Sequence, residues 1–336
     1  MFLRILFALL LLCENPVFSE ASSHSHSPRK ISDNTIQEMR LQWFHYDHDL
    51  PLDIQISPLD KIPFATRYLV SFMSVHDQRV PAILAVPTVG HAPYPCVILL
   101  HGSGGNKDSS YVKESSIAMC QIGCATISID SQYSGARKQP DRNNNIFLPN
   151  SYTARDAWVQ TVVDLRRTVD YLQTRSDINS NRLGFLGFSQ GAMIGADFGG
   201  IDKRVGVFCL AVPGGALAKV VQHLDRYPAL EQHWPFKITP KTMQVVDNVT
   251  DITDPIHYIA GISPRPLLIY TAKYDQIIPP ESSKALIAAA KVNPNLQVVQ
   301  VDASHVLNPM IVFSIRAYFK KMLVLPKHVH DGIPEK

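Results

Sequence analysis

The sequence predicts an α/β fold in which a mostly parallel central sheet follows an antiparallel N-terminal hairpin and carries helices on both faces. Short, continuous apolar runs at residues 96–100 and 125–130 are typical of parallel strands that are buried on both faces. Amphipathic helical segments separate such runs, most clearly at residues 159–172, where apolar residues recur three or four positions apart. Strands that alternate with helices in this way build βαβ units and a layered α/β domain.

The expected elements follow one another along the chain. Residues 68–75 and 79–86 predict the hairpin, because two strand-like runs flank a short turn. Six further strands are expected at residues 96–100, 125–130, 185–187, 205–212, 267–270 and 296–301. Helices are expected at residues 111–122, 159–172, 193–197, 281–291 and 309–323. Residues 214–258, after the fourth of the six strands, contain no strand-like run and predict a helical insertion.

The first 19 residues have the pattern of a secretory signal peptide, with a basic start at Arg4 and an apolar run at residues 5–12. We therefore expect export, either to the periplasm or out of the cell. Cys13 offers a lipoprotein alternative, which the preceding leucines disfavour because a lipid-attachment site usually requires a small residue there. The apolar run is too short to cross a bilayer, so no stable membrane span is expected.

This interpretation divides the chain into four segments. The signal peptide at residues 1–19 precedes a polar, His-rich segment at residues 20–63, which we expect to wrap around the surface without forming core. The α/β domain occupies residues 64–325 and includes the insertion at residues 214–258. Residues 326–336 form a C-terminal tail.

Composition and charge exclude several classes of partner. The net charge of +3 is spread along the 336 residues without a block of lysine and arginine, so neither nucleic acid nor an anionic membrane is an expected partner. No Cys or His spacing is typical of a zinc site. One irregular stretch superficially suggests metal ligands, but without supporting Cys or Glu it favours a solvated surface, and no metal is expected. Its residues are His45, Asp47, His48 and Asp49.

Four cysteines, Cys96, Cys120, Cys124 and Cys209, remain after the expected cleavage. An even number in an oxidising compartment permits disulfide pairing. Because three of them lie in or beside strand-like apolar runs, packing in the core is the favoured interpretation.

A G-x-S-x-G motif formed by Gly187, Ser189 and Gly191 lies between an expected strand and an expected helix. A nucleophile at the end of a strand requires a sharp turn with little steric bulk on either side. Glycines two positions before and after the serine allow the strained backbone and the close approach of the helix. Ser189 is therefore the candidate nucleophile.

A glycine-rich turn at residues 101–105 directly follows the strand expected at residues 96–100. Acyl transfer places negative charge on the former carbonyl oxygen, and fixed backbone N–H groups stabilise that charge. We expect these oxyanion donors to be the N–H of Gln190 and the N–H of Ser103 or Gly104. The turn matches neither G-x-x-x-x-G-K-[ST] nor G-x-G-x-x-G, which disfavours a phosphate-binding loop.

Asp275 and His305 follow later strands in the order, acid and then histidine, that such a nucleophile requires. Asp275 comes after the strand at residues 267–270, and His305 comes after the strand at residues 296–301. A carboxylate in this position can accept the Nδ1–H of the histidine and stabilise the imidazolium. Asp302 is the less suitable acid, because it lies too near the end of its strand.

Other residues bear on the substrate site. Asp130 and Arg137 flank Gly135 at the same edge of the sheet, where they either shape the pocket or brace a loop, and bracing is the favoured alternative. Trp234 and Phe236 in the insertion either line the substrate pocket or anchor the insertion to the core. The mixed polarity of these segments leaves the acyl chain length open.

With these residues the sequence resembles the α/β-hydrolase superfamily, and within it the branch of dienelactone-hydrolase-like, acetyl-xylan-esterase-like and prolyl-oligopeptidase-type catalytic domains. The resemblance covers residues 68–323 and includes the hairpin, the glycine-rich turn, Ser189, Asp275 and His305. It implies a serine hydrolase that cleaves small-molecule esters without a cofactor. Ser189 argues against dienelactone hydrolases proper, which use a cysteine nucleophile, and the chain has no room for the β-propeller usual in prolyl-oligopeptidase relatives.

Two alternatives remain open on the sequence. A serine peptidase or acyl-peptide hydrolase would use the same three side chains on an amide. A non-catalytic binding protein would keep the fold without the chemistry, since fold does not determine function. No residue pattern indicates an oligomeric state.

Overall fold

One sheet of nine strands runs through the part of the chain that the structure, a computed structural model, describes: residues 32–142, 151–226, 237–306, 308 and 310–325. The strands are β1 (Gln55–Ile62), β2 (Ala65–Met73), β3 (Arg79–Pro87), β4 (Tyr94–Leu100), β5 (Ala125–Ile129), β6 (Ile178–Phe188), β7 (Val207–Ala211), β8 (Leu267–Ala272) and β9 (Leu296–Val301). Their order across the sheet is β1-β2-β3-β5-β4-β6-β7-β8-β9. The first three strands pair antiparallel, as do β3 and β5, and all pairs from β5 to β9 are parallel. The predicted fold class is confirmed.

Helices pack on both faces of this sheet. Those in the described residues are α1 (Asp33–Gln42), α2 (Ser110–Cys120), α3 (Ser151–Gln173), α4 (Gln190–Ile201), α5 (Leu217–Gln222), α6 (Pro240–Thr253), α7 (Pro280–Ala290) and α8 (Ile311–Phe319). The sequence predicts most of them with shifted ends. The helix expected at residues 193–197, for example, begins directly after Ser189 and is more than twice as long.

The two faces of the sheet carry separate apolar cores. Ile98 of β4 belongs to a core that includes Trp158 of α3 and Phe198 of α4. Its neighbour Leu99 belongs to the opposite core, with Phe319 of α8. Because successive side chains of a strand point to opposite faces, β4 is apolar at every position and forms a continuous run in the sequence.

Part of the polar N-terminal segment contributes to the sheet and the core, contrary to the expectation that it only wraps around the surface. β1 lies at the edge of the sheet, and Phe44 is fully buried with its ring 5.5 Å from that of Tyr258. Tyr46 is also buried, and its hydroxyl lies 3.0 Å from both carboxylate oxygens of Asp170. Single aromatic residues in a polar segment form no periodic apolar pattern. Their burial therefore cannot be predicted from the sequence.

The insertion at residues 214–258 contains α5 and α6 and, among its described residues, no strand. Trp234 and Phe236 lie outside the described residues, as do the expected signal peptide and most of the tail. None of the described helices is long and apolar enough to cross a membrane.

The histidines and aspartates that suggested metal binding lie on the surface, and the cysteines that could have formed disulfides are buried. The stretch from His45 to Asp49 has its histidines and aspartates on the surface. All four cysteines of the described chain are buried free thiols, as packing in the core requires. Within the described residues there is no group of three side chains placed to hold a metal ion.

Asp197 of α4 is a fully buried carboxyl group. The indole Nε1–H of Trp158 donates to its Oδ2 at 2.6 Å, whereas Oδ1 has no hydrogen-bond partner within the described structure. Burial, with a smaller contribution from the nearby charge of Asp254, raises the pKa of Asp197 well above its usual range. The folded protein therefore keeps this side chain protonated under conditions that ionise it in the unfolded chain.

We expect Phe44→Ala to lower the free energy of unfolding by about 3–5 kcal/mol, because it removes a fully buried ring and leaves a cavity. Urea denaturation followed by circular dichroism measures this. Met39→Ala is the matched control, because Met39 in the neighbouring α1 is 59% exposed and its truncation should change stability by less than about 0.5 kcal/mol. An equally small effect of Phe44→Ala would contradict the assignment of this residue to the core.

A second prediction concerns pH. Because the folded pKa of Asp197 is raised, the folded protein binds more protons than the unfolded chain above a pH of about 4, and the free energy of unfolding falls by up to about 1.4 kcal/mol for each further pH unit. Asp197→Asn keeps the acceptor for Trp158 and removes this loss, so the stability of the variant relative to the wild type should increase as the pH rises above about 4. Asp302→Asn, at an exposed position, should leave the slope unchanged. Parallel pH profiles for wild type and Asp197→Asn would disprove the prediction.

Candidate active site

Ser189 lies on a strained turn between β6 and α4. Its φ is 51° and its ψ is −117°, a backbone conformation that residues other than glycine rarely adopt. Its N–H donates to the carbonyl oxygen of Ala211 at 2.8 Å, which fixes the turn to β7. A Cβ added at Gly187 would lie 2.6 Å from the carbonyl carbon of Gly191, and one added at Gly191 would lie 2.6 Å from the carbonyl oxygen of Leu100. Both glycines of the motif are therefore required by backbone contacts.

The structure brings Ser189, His305 and Asp275 together at the carboxyl edge of the sheet. Nε2 of His305 is 2.9 Å from Oγ of Ser189, and Nδ1 is 2.9 and 3.0 Å from the two carboxylate oxygens of Asp275. The histidine side chain is 20% exposed and that of the aspartate 6%. Three residues from distant parts of the chain thus form one continuous line of hydrogen bonds.

The hydrogen bonds around Asp275 determine what this line can do. Oδ1 of Asp275 accepts the backbone N–H groups of Ile277 at 2.9 Å and Ile278 at 2.8 Å, which hold the carboxylate in place. An ionised carboxylate only accepts hydrogen bonds, so Nδ1 of His305 carries the proton and Nε2 is left to accept the hydroxyl proton of Ser189. This is the arrangement that a serine nucleophile requires.

Asp302 takes no part in this line. Its side chain is 75% exposed and lies 3.1 Å from Nζ of Lys273, in a surface ion pair. The acid ranked first on the sequence, Asp275, is the one that contacts the histidine.

The glycine-rich turn packs directly on Ser189. A Cβ added at Gly102 would lie 3.3 Å from Cβ of Ser189 and 3.2 Å from the carbonyl oxygen of Phe188. Ser103 and Gly104 follow at the surface. Gln190, the first residue of α4, borders Ser189 from the other side. The two segments expected to supply oxyanion donors therefore both adjoin Ser189.

Sequence reasoning did not identify Tyr111, which holds this turn. Its hydroxyl accepts the backbone N–H of Gly102 at 3.0 Å, and its ring lies edge-on to Phe188 with centroids 5.1 Å apart. His101 contributes through Nδ1, 2.7 Å from the carbonyl oxygen of Gly102, and through Nε2, which accepts the N–H of Ser131 at 3.2 Å. Burial lowers the pKa of His101, so the ring stays neutral and suits both contacts. A single tyrosine at the start of a helix gives no sequence signal for such a role.

Arg137 lies in the loop-bracing position rather than on an open pocket wall. Its Nη1 is 2.5 Å from Oδ2 of the buried Asp164, and the arginine side chain is only 6% exposed. The carboxylate of Asp130 accepts hydrogen bonds from Nζ of Lys107 at 2.7 Å and from the N–H of Ala136 at 2.8 Å. The ion pair with Asp164 supports the bracing alternative, while Nη2 of Arg137 is buried without a hydrogen-bond partner within the described residues.

Comparison with known proteins identifies the family. The sequence profile of the acetyl xylan esterase (AXE1) family matches residues 33–321. This chain belongs to the acetyl xylan esterase family. Membership confirms the resemblance to α/β-hydrolase esterases and makes the protein a carboxylic ester hydrolase of the serine type.

One curated relative and two solved structures are similar to this chain. YtaP of Bacillus subtilis (strain 168) is 25% identical over 224 residues, which cover 61% of this chain and 68% of the relative. The acetyl xylan esterase from Paenibacillus sp. R4 has 17% identity and a TM-score of 0.70 over 88% of this chain and 96% of its own. Acetyl xylan esterase 1 from Thermoanaerobacterium sp. JW/SL YS485 has 16% identity and a TM-score of 0.69 over 86% and 93%. At these identities the two solved esterases show the shared fold.

Tyr111→Phe tests the role of the tyrosine hydroxyl. The variant keeps the ring but removes the acceptor for the Gly102 N–H, so we expect kcat on p-nitrophenyl acetate to fall about fivefold with little change in KM, since one hydrogen bond contributes about 1 kcal/mol. Steady-state kinetics give both constants. Tyr318→Phe also removes a hydroxyl hydrogen bond, to Phe208, but away from the site, and should leave kcat unchanged. A loss confined to KM, or shared by the control, would refute a positioning role.

Proposed function

We propose that Ser189, His305 and Asp275 form the catalytic triad of an esterase that removes acetyl groups from carbohydrate esters. The observation that carries the proposal is the line of hydrogen bonds of 2.9 Å from Oγ of Ser189 through the imidazole of His305 to Asp275. Neither a metal nor an organic cofactor is needed for this chemistry.

The reaction proceeds in two steps. Oγ of Ser189 attacks the ester carbonyl while Nε2 of His305 takes the hydroxyl proton, and Asp275 stabilises the imidazolium. The negative oxygen of the tetrahedral intermediate accepts the N–H of Gln190 and the N–H of Ser103 or Gly104. His305 returns the proton to the departing alcohol, which leaves an acetylated Ser189. Water, activated by the same imidazole, then releases acetate and restores the serine.

Two considerations support an acetylated carbohydrate as the substrate. The family is named for acetyl xylan esterases, and the two solved structures with this name share the fold over at least 86% of this chain. A sugar alcohol as leaving group also suits the polar, exposed turn at Ser103 and Gly104. We further propose that the protein is exported, on the support of the basic start and the apolar run at residues 5–12. The role of Trp234 and Phe236, either as pocket lining or as anchors of the insertion, stays a prediction.

Substitution of the nucleophile tests the mechanism. Ser189→Ala should lower kcat on p-nitrophenyl acetate by about 10⁴-fold or more and abolish labelling by a fluorophosphonate probe, because no other serine contacts His305 within the described residues. Ser57→Ala, at an exposed serine of β1, should keep both. Labelling that survives in the Ser189→Ala variant would exclude Ser189 as the nucleophile.

Substrate preference needs a separate comparison. Release of acetate from acetylated xylo-oligosaccharides, measured beside cleavage of aminoacyl anilides, distinguishes an esterase from the peptidase alternative. We expect turnover of the acetylated sugars and none of the anilides. Preferred cleavage of the anilides would overturn the proposed substrate while leaving the triad intact.

A further inference from the structure

The last strand of the sheet, β9, has an open edge. Among the described residues, β9 pairs with β8 on one side, and no strand pairs with it on the other. The N–H of Lys273 donates to the carbonyl oxygen of Val301, and the N–H of Leu267 donates to that of Asn295, so these two carbonyls face β8. Backbone groups alternate between the two sides of a strand. The residues of β9 whose N–H and C=O groups face away from β8 are therefore Leu296, Val298 and Gln300.

The side chains of β9 suit pairing with another strand. The six residues of the strand include no charged residue and no proline. Val298 is 43% exposed, and Val299, which points to the opposite face, is 39% exposed. An uncharged edge strand with exposed β-branched side chains is a template for pairing with another chain.

The other edge of the sheet, β1, is protected against such pairing. It contains Pro58, Asp60 and Lys61, and its pairing with β2 changes register between Pro58 and Asp60. Proline, charged side chains and irregular register are features by which natural sheets prevent pairing at an edge. Pairing of β9 with β1 of another copy is therefore disfavoured, and such a contact would also not close.

The charges at the two ends of β9 favour an antiparallel copy of the same strand. Lys291 precedes the strand and Asp302 directly follows it, and both are exposed. The side chain of Asp302 is 75% exposed beside Nζ of Lys273, so it is open to a second ammonium group. An antiparallel copy brings the Lys291 end of each strand to the Asp302 end of the other. A parallel copy would instead place like charges together.

Exposed valines lie at the same two ends. Val292, next to Lys291, is 66% exposed, and Val306, directly after His305, is 81% exposed. The antiparallel arrangement brings Val292 of one copy and Val306 of the other to one end of the paired strands. Removal of this apolar surface from water adds to the pairing.

We propose that β9 pairs antiparallel with β9 of a second copy, so that the two sheets form one continuous sheet in a dimer. The two-fold axis passes through Val298, because this residue is the middle one of the three whose backbone groups face outward. An axis perpendicular to the sheet keeps each face on its own side. Val298 then lies opposite Val298 of the second copy, and Leu296 lies opposite Gln300. The dimer does not rest on the proposed function.

Sedimentation velocity of the full chain measures the association. We expect a dimer of twice the 37.5 kDa monomer, with a Kd in about the micromolar range, as expected for a small interface. Val298→Lys places two ammonium groups opposite each other at the axis and should raise the Kd about tenfold or more. Ile56→Lys is the matched control. Ile56 is 49% exposed on β1, the other edge strand, and its substitution should leave the Kd unchanged.

A disulfide tests the position of the axis. Facing residues that exchange hydrogen bonds in antiparallel strands have Cα atoms about 5.5 Å apart, within reach of a disulfide. Oxidised glutathione should therefore link two copies of the Val298→Cys variant, and dithiothreitol should release them. In Gln300→Cys the two new thiols lie four residues apart along the paired strands, about 13 Å, and should not link. The wild type, whose cysteines in the described chain are buried, should not link either.

Each result bears on the dimer alone. A chain that sediments as a monomer at every concentration would overturn the inference, as would a dimer that Ile56→Lys abolishes or that Val298→Lys leaves intact. Linkage of Gln300→Cys without linkage of Val298→Cys would contradict the proposed axis. Circular dichroism shows whether Val298→Lys folds, and where it does not, the linkage experiment decides. If the dimer forms but no ester is cleaved, the proposed function is wrong and the dimer stands.

Discussion

The backbone strain at Ser189 is the constraint on which the rest of the site depends. A positive φ at a serine is unfavourable. The conformation persists here because backbone atoms around the turn leave no room for it to relax. Gly187 and Gly191 touch main chain on the inner side of the turn, and the Ser189 N–H is fixed to β7. The turn therefore projects the hydroxyl beyond the edge of the sheet instead of into the core. Strain of about 1–3 kcal/mol accompanies this turn, which holds the hydroxyl of Ser189 in one position.

The remaining members of the site are placed by the sheet. β8 and β9 lie beyond β7, parallel to β6, so the loops that follow them reach the edge where Ser189 projects. Asp275 in the first of these loops is held by two amides of its own loop, and it orients His305 in the second. Positions set by neighbouring strands, with few rotatable groups between them, keep the donor and acceptor atoms aligned before substrate binds, which is the basis of electrostatic preorganisation.

Different signals explain what the sequence could and could not predict. Buried parallel strands appear as continuous apolar runs, and a nucleophile turn requires glycines at fixed spacing, so the sheet and the line from Ser189 to Asp275 follow from local patterns and their order. Phe44 and Tyr111 act through contacts with residues in other elements, and isolated contacts of this kind leave no periodicity in the sequence to detect. Arg137 shows the same limit, because its sequence position indicates the active-site edge but not that Asp164 occupies its guanidinium.

The raised pKa of Asp197 bears on the chemistry at the amino end of its helix. The amino end of α4 carries a partial positive charge beside the oxygen that becomes negative during acyl transfer. Asp197 lies seven residues further along the helix than Gln190, and at 1.5 Å per residue this places it about 11 Å from that end. An ionised carboxylate at this distance would oppose the developing charge by about 1.5 kcal/mol at an effective dielectric constant of about 20, which corresponds to roughly tenfold in rate. Burial beside Trp158 raises the pKa of Asp197, which favours the neutral carboxyl group and so limits the opposing charge inside the helix.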